Sequence, residues 1–442
     1  MFGTPLLRFE PCCWRSPATL KDLLDAKQIR SHQPLASHGG PVTNGDWKRL
    51  LPVVSQVEFV CSQRPAVALG LSRFAYALLL PAMRADLHWS FAIAGAMNTA
   101  NALGYLGGAF VTITITRRWG TRRCFIATLG GGVLVLLATA STGNTVVLVA
   151  LRALSGALGA VTFVTGAGLV AFAISTLSSE RVATLLGIYF AGAGIGIVAS
   201  GLVIPRLLSA TSLAQGWRWG WVLLAGLGLV ALMIGVPVAL ASGEPPSPPF
   251  VERHWPARRF RRLLASYGLF GTGYIAYMTF IVAYLKGHGT ESRQITVFWV
   301  VLGASSMVGA LLWGRPIARL RGGRGPSLIL AVVSVGASLP LISTSRVATL
   351  SSAVCFGGSF LSVVTSVTSV TRRSLQAHHW TAAIAGLTAA FALGQCLGPV
   401  LAGVLSDGPA GLRLGLELSL GVLLAATLSS FTHEDYGITA HA

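Results

Sequence analysis

The sequence is poor in charged side chains, and acidic ones are especially scarce. Only 11% of its 442 residues are Asp, Glu, Lys or Arg, and 14 residues are acidic. A soluble globular protein carries about 25% charged residues, so this chain has too few of them to cover a water-exposed surface. Soluble enzymes, nucleic-acid-binding modules and disordered chains are therefore disfavoured as classes.

Motifs of membrane-embedded enzymes and nucleotide-driven pumps are also missing. The sequence contains no His-Glu-x-x-His, no Gly-x-Ser-x-Gly and no phosphate-binding Gly-Lys-Ser/Thr. Its six cysteines lack metal-ligand spacing, and three of them (Cys124, Cys355 and Cys396) lie inside apolar runs. That placement argues against a disulfide framework. We therefore expect no enzyme activity, no metal site and no cofactor.

Apolar residues, in contrast, are abundant and occur in long runs. They make up 53% of the chain, and the mean hydropathy is +0.68. Each run is long enough to cross a bilayer as a helix, the conformation that satisfies its own backbone hydrogen bonds in lipid. The twelve predicted spans are 66–83, 91–115, 124–142, 145–177, 182–205, 219–241, 263–285, 294–314, 326–344, 347–371, 380–405 and 412–431. The sequence therefore predicts an all-α membrane protein with twelve transmembrane helices.

The positive charges predict how the helices are oriented. The net charge is +19, and most basic residues lie between the apolar runs. The connections on one side carry 16 basic residues, and those on the other side carry 6. Because basic loops stay in the cytoplasm, we expect both termini to be cytoplasmic in a multi-pass protein of the cytoplasmic membrane.

Composition divides the chain into five segments. The first holds seven prolines and no membrane span, so we expect a cytoplasmic tail that is either disordered or the product of a wrongly assigned start. A Pro- and Arg-rich stretch separates six spans from six. The segments are 1–65 (tail), 66–241 (first six-helix bundle), 242–262 (cytoplasmic linker), 263–431 (second bundle) and 432–442 (cytoplasmic tail).

The two bundles are related by an internal repeat. A constant offset of 202 residues places Gly107 on Gly309, Arg117 on Arg319, Gly120 on Gly322, Arg122 on Arg324, Gly156 on Gly358, Gly192 on Gly394, Gly196 on Gly398 and Gly201 on Gly403. This offset spans six helices, an even number, so the two halves share one orientation in the membrane. Such parallel repeats are one of the transporter architectures.

Several motifs resemble those of the major facilitator superfamily. The loops Thr116–Arg123 and Ala318–Arg324 resemble its loop signature, although Arg117 and Ala318 stand where the signature has Asp. Arg152 followed by small residues resembles its helix 4 motif, and the glycines of helices 5 and 11 resemble a Gly/Pro packing motif. The resemblance implies gating or structural roles for Arg118, Gly120, Arg122, Gly156, Gly192, Gly196, Gly201, Gly394, Gly398 and Pro399.

Three stretches narrow the resemblance to the YbfB/YjiJ-type branch of this superfamily. They are Ala68–Met83, Asn98–Gly107 and Gly273–Phe280, and the likeness extends over about residues 66–430. This resemblance implies a transporter fold of two parallel six-helix repeats, but it does not imply a particular solute. Upstream of residue 66 the sequence departs from the branch, because polar residues interrupt its first apolar run.

Charged residues inside the predicted spans are rare enough to suggest a site. They are Arg73, Arg152, Arg413 and Glu417, of which the last two are four residues apart and are expected to pair. Helices 1, 4, 7 and 10 line the cavity in the superfamily, as the resemblance implies. Arg73 and Arg152 would then face one central site that attracts a small anion. Further candidates, each of which could instead be a packing residue, are Tyr76, Asn98, Asn101, Tyr274, Tyr277 and Thr279.

We therefore expect a secondary active transporter that moves a small organic anion by alternating access. Two alternatives stay open: proton-antiport efflux of neutral or cationic compounds, and a non-transporting membrane sensor or scaffold. The expected partners are a small-molecule solute and the lipid bilayer, without nucleic acid, and the expected oligomeric state is a monomer.

Overall fold

The structure, a computed structural model, confirms an all-helical chain. It describes residues 66–173, 179–210, 215–241, 243–245 and 255–434, which contain no β-strand. The described residues form twelve long helical segments, α1–α12, and the ten from α3 to α12 are long and apolar enough to cross a membrane. The predicted tail 1–65 lies outside the described residues, as do residues 435–442.

The twelve segments follow one another with short connections. The first, α1, consists of a π-helical part, Ala66–Phe74, and an α-helical part, Tyr76–Asp86. The other α-helices are α2 (Phe91–Trp119), α3 (Thr121–Ser141), α4 (Thr145–Ala173), α5 (Ser179–Ala210), α6 (Gly216–Ala241), α7 (Arg261–Gly287), α8 (Ser292–Leu312), α9 (Arg324–Ile342), α10 (Arg346–Ser374), α11 (Ala377–Ser406) and α12 (Gly411–Phe431). A 3₁₀ turn (Ala257–Phe260) precedes α7, and a short helix (Gly314–Arg319) follows α8.

Several helices extend beyond the predicted apolar spans. Helix α2 continues to Trp119, so that Arg117 and Arg118 occupy its last turn instead of a loop. Helix α7 begins two residues early, at Arg261, inside the predicted linker. Arginine side chains favour helix ends in this way, because the aliphatic stem follows the apolar surface and the charged group reaches water.

The first helix changes its hydrogen-bonding pattern halfway. The Ala75 N–H donates to the Gly70 carbonyl at 2.9 Å, a bond to the fifth residue back, and ordinary α-helix follows from Tyr76. Hydropathy does not detect such a change, since it reports the apolar character of the residues and not which backbone groups bond each other. Short π-helical stretches are frequent at functional sites, and this one contains Arg73, one of the two predicted central arginines.

Close helix crossings confirm the repeat and refine its register. A Cβ at Gly196 would lie 2.8 Å from the Gly70 Cα where α5 crosses α1, and the equivalent Gly398 on α11 would meet the Thr272 carbonyl oxygen of α7 at 2.1 Å. Gly398 follows Gly196 by 202 residues, and Thr272 follows Gly70 by the same number. The predicted offset is therefore confirmed for these four helices.

At the α2–α4 crossing and its equivalent, the α8–α10 crossing, the equivalence is shifted by one residue. A Cβ at Gly156 would lie 1.9 Å from the Asn101 carbonyl oxygen, and one at Gly357 would lie 2.5 Å from the Leu302 carbonyl oxygen. Gly357 follows Gly156 by 201 residues, and Leu302 follows Asn101 by the same number. Gly156 therefore corresponds to Gly357 and not to Gly358. Gly107 does not take part, since a Cβ there would meet nothing within 4 Å.

The two halves meet through α2 with α11, α5 with α8, and α1 with α7. A Cβ at Gly95 of α2 would lie 2.2 Å from the Pro399 carbonyl oxygen, and one at Gly403 would lie 2.4 Å from the Phe91 carbonyl oxygen. These approaches lie toward the end that carries the α1–α2 connection. The halves are therefore closely joined at this end of the bundle.

Candidate functional site

A buried arginine of the first helix is hydrogen-bonded across the two halves of the protein. Arg73 is 3% exposed, and its Nη2 donates to Gln395 Oε1 of α11 at 2.8 Å. The amide of Gln395 in turn donates through Nε2 to Tyr274 Oη of α7 at 2.6 Å. The Arg73 guanidinium also lies 5.7 Å from the centre of the Tyr105 ring. We call Arg73, Gln395 and Tyr274 the Arg73 chain.

A second buried arginine begins a parallel chain. Arg152 of α4 donates through Nη1 to the Ser72 carbonyl oxygen at 2.5 Å, next to the π-to-α change of α1. Its Nη2 donates to Asn98 Oδ1 at 3.1 Å, and Asn98 Nδ2 donates to Thr279 Oγ1 of α7 at 2.7 Å. This Arg152 chain therefore also connects the first half of the protein to the second.

Close packing of α2 against α4 makes the Arg152 chain possible. Glycine at position 156 lets the α4 backbone approach the Asn101 carbonyl oxygen, and a Cβ at Gly104 would lie 1.8 Å from the Ala153 carbonyl oxygen. At this separation Asn101 Nδ2 donates to the Arg152 carbonyl oxygen at 3.2 Å. Small residues at helix crossings thus place the polar side chains of the chain within hydrogen-bonding distance.

The two arginines have no acidic partner in the described part of the chain. Among the side chains whose burial the structure describes, they are the only Lys, Arg, Asp or Glu side chains that are buried. The Nε atoms of both Arg73 and Arg152 are buried without a hydrogen-bond partner. The ion pairs found in these residues lie elsewhere: Arg122–Glu244, Arg262–Glu434 and Arg413–Glu417. The centre of the bundle is therefore positively charged.

The remaining predicted tyrosines differ in their surroundings. The Tyr76 ring lies 4.9 Å from the Arg152 guanidinium, and its hydroxyl donates to the Ala94 carbonyl oxygen at 2.8 Å. Tyr277 belongs to neither chain, because its hydroxyl bonds Ser352 Oγ at 2.6 Å and its ring stacks on Phe356 at 4.2 Å. The structure thus brings the other predicted polar residues to the two chains and places Tyr277 within the second half.

Two residues of the centre were not predicted as site residues. Gln395 is the only amide side chain in α11, but it lies within the Gly394–Pro399 stretch, which the sequence presents as a packing motif. An isolated amide inside an apolar helix is costly without a partner, and this is the signal that points to it. Tyr105 lies beside glycines in α2, and nothing in the local pattern distinguishes it from a packing residue.

Aromatic rings of the second half surround the Arg73 chain. The Tyr274 ring stacks on Phe270 at 4.9 Å and on Phe391 at 5.5 Å. Phe391 stacks on Tyr267 at 4.6 Å, and Tyr274 lies 6.1 Å from the Phe360 ring. Stacked rings at these separations are rigid and hold the Tyr274 hydroxyl in place for Gln395.

The predicted gating loop is held by an acidic residue from another segment. Gly120 has φ +83°, which favours glycine, and Glu244 after α6 accepts hydrogen bonds from the backbone N–H groups of Thr121 and Arg122. Arg122 also donates to the Leu240 carbonyl oxygen at 3.2 Å. Arg118 is exposed at the end of α2.

Four of the five predicted glycines of α5 and α11 lie at helix crossings, namely Gly196, Gly201, Gly394 and Gly398. Gly192 is buried, and a Cβ at Gly201 would lie 2.8 Å from the Trp299 side chain of α8. On α11, a Cβ at Gly394 would lie 1.9 Å from the Gly268 carbonyl oxygen of α7. This close approach of α11 to α7 lets Gln395, the next residue, reach Tyr274.

Comparisons with known proteins agree with this architecture. A bacterial homologue of the human lysosomal transporter Spinster, solved in an inward-facing and occupied conformation, superposes with a TM-score of 0.70 at 15% identity, covering 86% of this chain and 97% of its own. The nucleoside transporter NupG superposes with a TM-score of 0.65 at 12% identity, covering 85% and 98%. Both show that the fold is that of a membrane transporter.

Sequence comparison identifies the family. A chloramphenicol resistance protein of Streptomyces lividans is 28% identical over 382 residues, which are 82% of this chain and 92% of the relative. The family model described as uncharacterised MFS-type transporter YbfB matches residues 65–430, which include both six-helix halves. The chain therefore belongs to the YbfB family of the major facilitator superfamily, and it is a multi-pass membrane transporter.

Proposed function

We propose that the protein is a secondary active transporter of a small organic anion. The observation that carries this proposal is the environment of Arg73, which is buried at the junction of α1, α7 and α11 beside a neutral amide. A buried guanidinium without a carboxylate favours an anionic ligand, because charge-assisted hydrogen bonds would satisfy its remaining donors. We expect the solute carboxylate to bind there.

The two arginines have different roles in this proposal. Arg152 uses both terminal nitrogens within the protein, on the Ser72 carbonyl and on Asn98. We infer that Arg152 holds α1 and α2 in position and shapes the site. Arg73 has one described hydrogen bond, to Gln395, and its Nε is unsatisfied, so it is the better candidate for direct contact with the solute.

Alternating access would require hydrogen bonds in both the Arg73 chain and the Arg152 chain to break or lengthen. The bonds Arg73–Gln395 and Asn98–Thr279 each connect one half to the other, so rocking of the halves stretches or breaks them. A solute that binds Arg73 competes with Gln395 for the guanidinium. Occupancy of the site would thereby be linked to the contact between α1 and α11.

The experiment compares Arg73→Gln with Arg152→Gln in purified protein. We expect wild type to gain thermal stability with carboxylates from a panel of small organic anions, cations and neutral compounds. Arg73→Gln should fold and lose that gain, whereas Arg152→Gln should lower the thermal stability without any ligand. Normal anion binding by Arg73→Gln would show that Arg73 does not bind the solute, and a wild type stabilised by no anion of the panel would show that the anion proposal is wrong.

A second candidate is proton-coupled efflux of neutral or cationic compounds. The name of the Streptomyces relative, a chloramphenicol resistance protein, favours it. Transport assays in proteoliposomes with and without a pH gradient distinguish anion transport from proton-coupled efflux. If the protein is a proton-coupled exporter, the gradient should drive the movement of uncharged compounds such as chloramphenicol. A protein that moves no solute in any arm would instead fit a membrane sensor or scaffold.

We further propose a monomer in the cytoplasmic membrane, with both termini and the 242–262 connection in the cytoplasm. The support for this topology is the excess of basic residues on that side, 16 against 6. Reporter fusions after residues 250 and 289 should lie in opposite compartments. A periplasmic signal from the fusion at position 250 would contradict this topology.

A further inference from the structure

We propose that Gln395 determines the charge of the solute, by holding the Arg73 guanidinium without neutralising it. The inference rests on the proposed transport of an anion and names the residue that makes the site selective for one. In the described residues, Gln395 provides the hydrogen-bond acceptor found for the Arg73 side chain, and it does so from the opposite half of the protein. A carboxylate at the same distance would form an internal ion pair instead.

The orientation of the Gln395 amide follows from its two partners. Its Nε2 donates to Tyr274 Oη at 2.6 Å, which leaves Oε1 toward Arg73 Nη2 at 2.8 Å. Stacking on Phe270 and Phe391 holds the Tyr274 ring, so the amide has little freedom to turn. Arg73 has only donors, and a fixed amide oxygen is therefore a suitable neutral partner for it.

Glutamate has nearly the same size and shape as glutamine, which makes the substitution informative. In Gln395→Glu one carboxylate oxygen would still accept a hydrogen bond from Arg73. The net charge of the pair formed by Arg73 and residue 395 would fall from +1 to 0. The other oxygen would accept from the Tyr274 hydroxyl, which can act as donor. An anionic solute would then lose its net attraction to the pair, because the carboxylate repels it while the guanidinium attracts it.

The stacked rings beside Gln395 suggest a matched series of probes. Benzoate, benzamide and benzamidinium share one ring and one planar group, and their charges are −1, 0 and +1. Each ring can pack against aromatic side chains in the same way, so that differences in affinity report charge. We would measure dissociation constants by isothermal titration calorimetry on the full-length protein in detergent.

Wild type should bind benzoate more tightly than benzamide by about tenfold or more. Gln395→Glu should lose this preference, so that benzoate and benzamide bind with similar affinity, while Gln395→Met should keep the preference for benzoate at reduced affinity. The matched control is Gln376→Glu, the same substitution at the exposed residue just before α11, which should behave as wild type. Gln395→Asp carries the same charge and replaces the Glu variant if that variant is not monodisperse.

The outcomes separate the two proposals. If wild type shows no preference for benzoate, the anion proposal itself fails. If wild type prefers benzoate and a folded acidic variant at position 395 prefers it equally, transport of an anion stands and the role of Gln395 is overturned. A shift of preference in Gln376→Glu would also overturn that role, because the effect would then come from the overall charge.

Discussion

Asp407 in the α11–α12 connection caps the N-terminus of α2, which belongs to the other half of the protein. Its two carboxylate oxygens accept from the backbone N–H groups of Phe91 at 2.7 Å and Ala92 at 2.9 Å. Ser90 accepts from the next free N–H, that of Ile93. Residues 316 positions apart in sequence thus complete one helix cap. The contact lies at the end of the bundle where the halves are closely joined.

Removing the Asp407 carboxylate should loosen this closed end. A helix cap contributes about 0.5–2 kcal/mol, and here the cap also holds the halves together. We expect the distance between spin labels at the exposed positions 85 and 408 to become longer and more broadly distributed in Asp407→Ala, as measured by double electron–electron resonance. Asp407→Asn, which keeps one acceptor oxygen, should have a smaller effect. An unchanged distance distribution in Asp407→Ala would mean that the cap does not hold the halves.

Two glycine-to-alanine substitutions should change the stability of the protein differently. A Cβ at Gly394 would lie 1.9 Å from a backbone oxygen of α7, so Gly394→Ala should cost about 1–3 kcal/mol by overpacking. A Cβ at Gly107 meets nothing within 4 Å, so Gly107→Ala should be neutral or stabilise by up to about 1 kcal/mol. Thermal unfolding followed by size-exclusion chromatography measures both. Equal effects would contradict the packing at the α7–α11 crossing.

Glu244 should stabilise the loop between α2 and α3. Its carboxylate accepts from two backbone N–H groups at the start of α3, so Glu244→Gln should lower stability by about 0.5–1 kcal/mol, a small effect because the group is partly exposed. The control is Glu291→Gln, since Glu291 precedes α8 but makes no side-chain cap bond. Limited proteolysis at the exposed Arg117–Trp119 segment provides the measurement. Comparable cleavage of the two variants would exclude a role for Glu244.

Glu417 should be dispensable for transport. Its Oε1 accepts from Arg413 Nε at 2.8 Å on α12, and the two side chains are 44% and 58% exposed. The pair takes no part in either central chain, and exposed pairs at this spacing contribute little. Uptake or efflux in proteoliposomes should therefore persist in Glu417→Gln, with or without a pH gradient. Loss of gradient-driven transport in this variant alone would make Glu417 a coupling residue.

The sequence by itself determined the twelve helices, the twofold repeat and the family. These features depend on local properties: the length of each apolar run, the motifs of the loops and the spacing of glycines along one chain. The prediction of Arg73 and Arg152 as central residues also came from a local property, since a charge inside an apolar run is costly wherever the helix lies.

Only the tertiary structure decided which side chains meet. Arg73 and Gln395 are 322 residues apart, and their contact exists because the glycines of α11 bring that helix close to α7. The π-helical part of α1 and the one-residue shift in the repeat escaped prediction for a related reason. Both depend on how backbones fit against each other, which hydropathy and spacing do not encode.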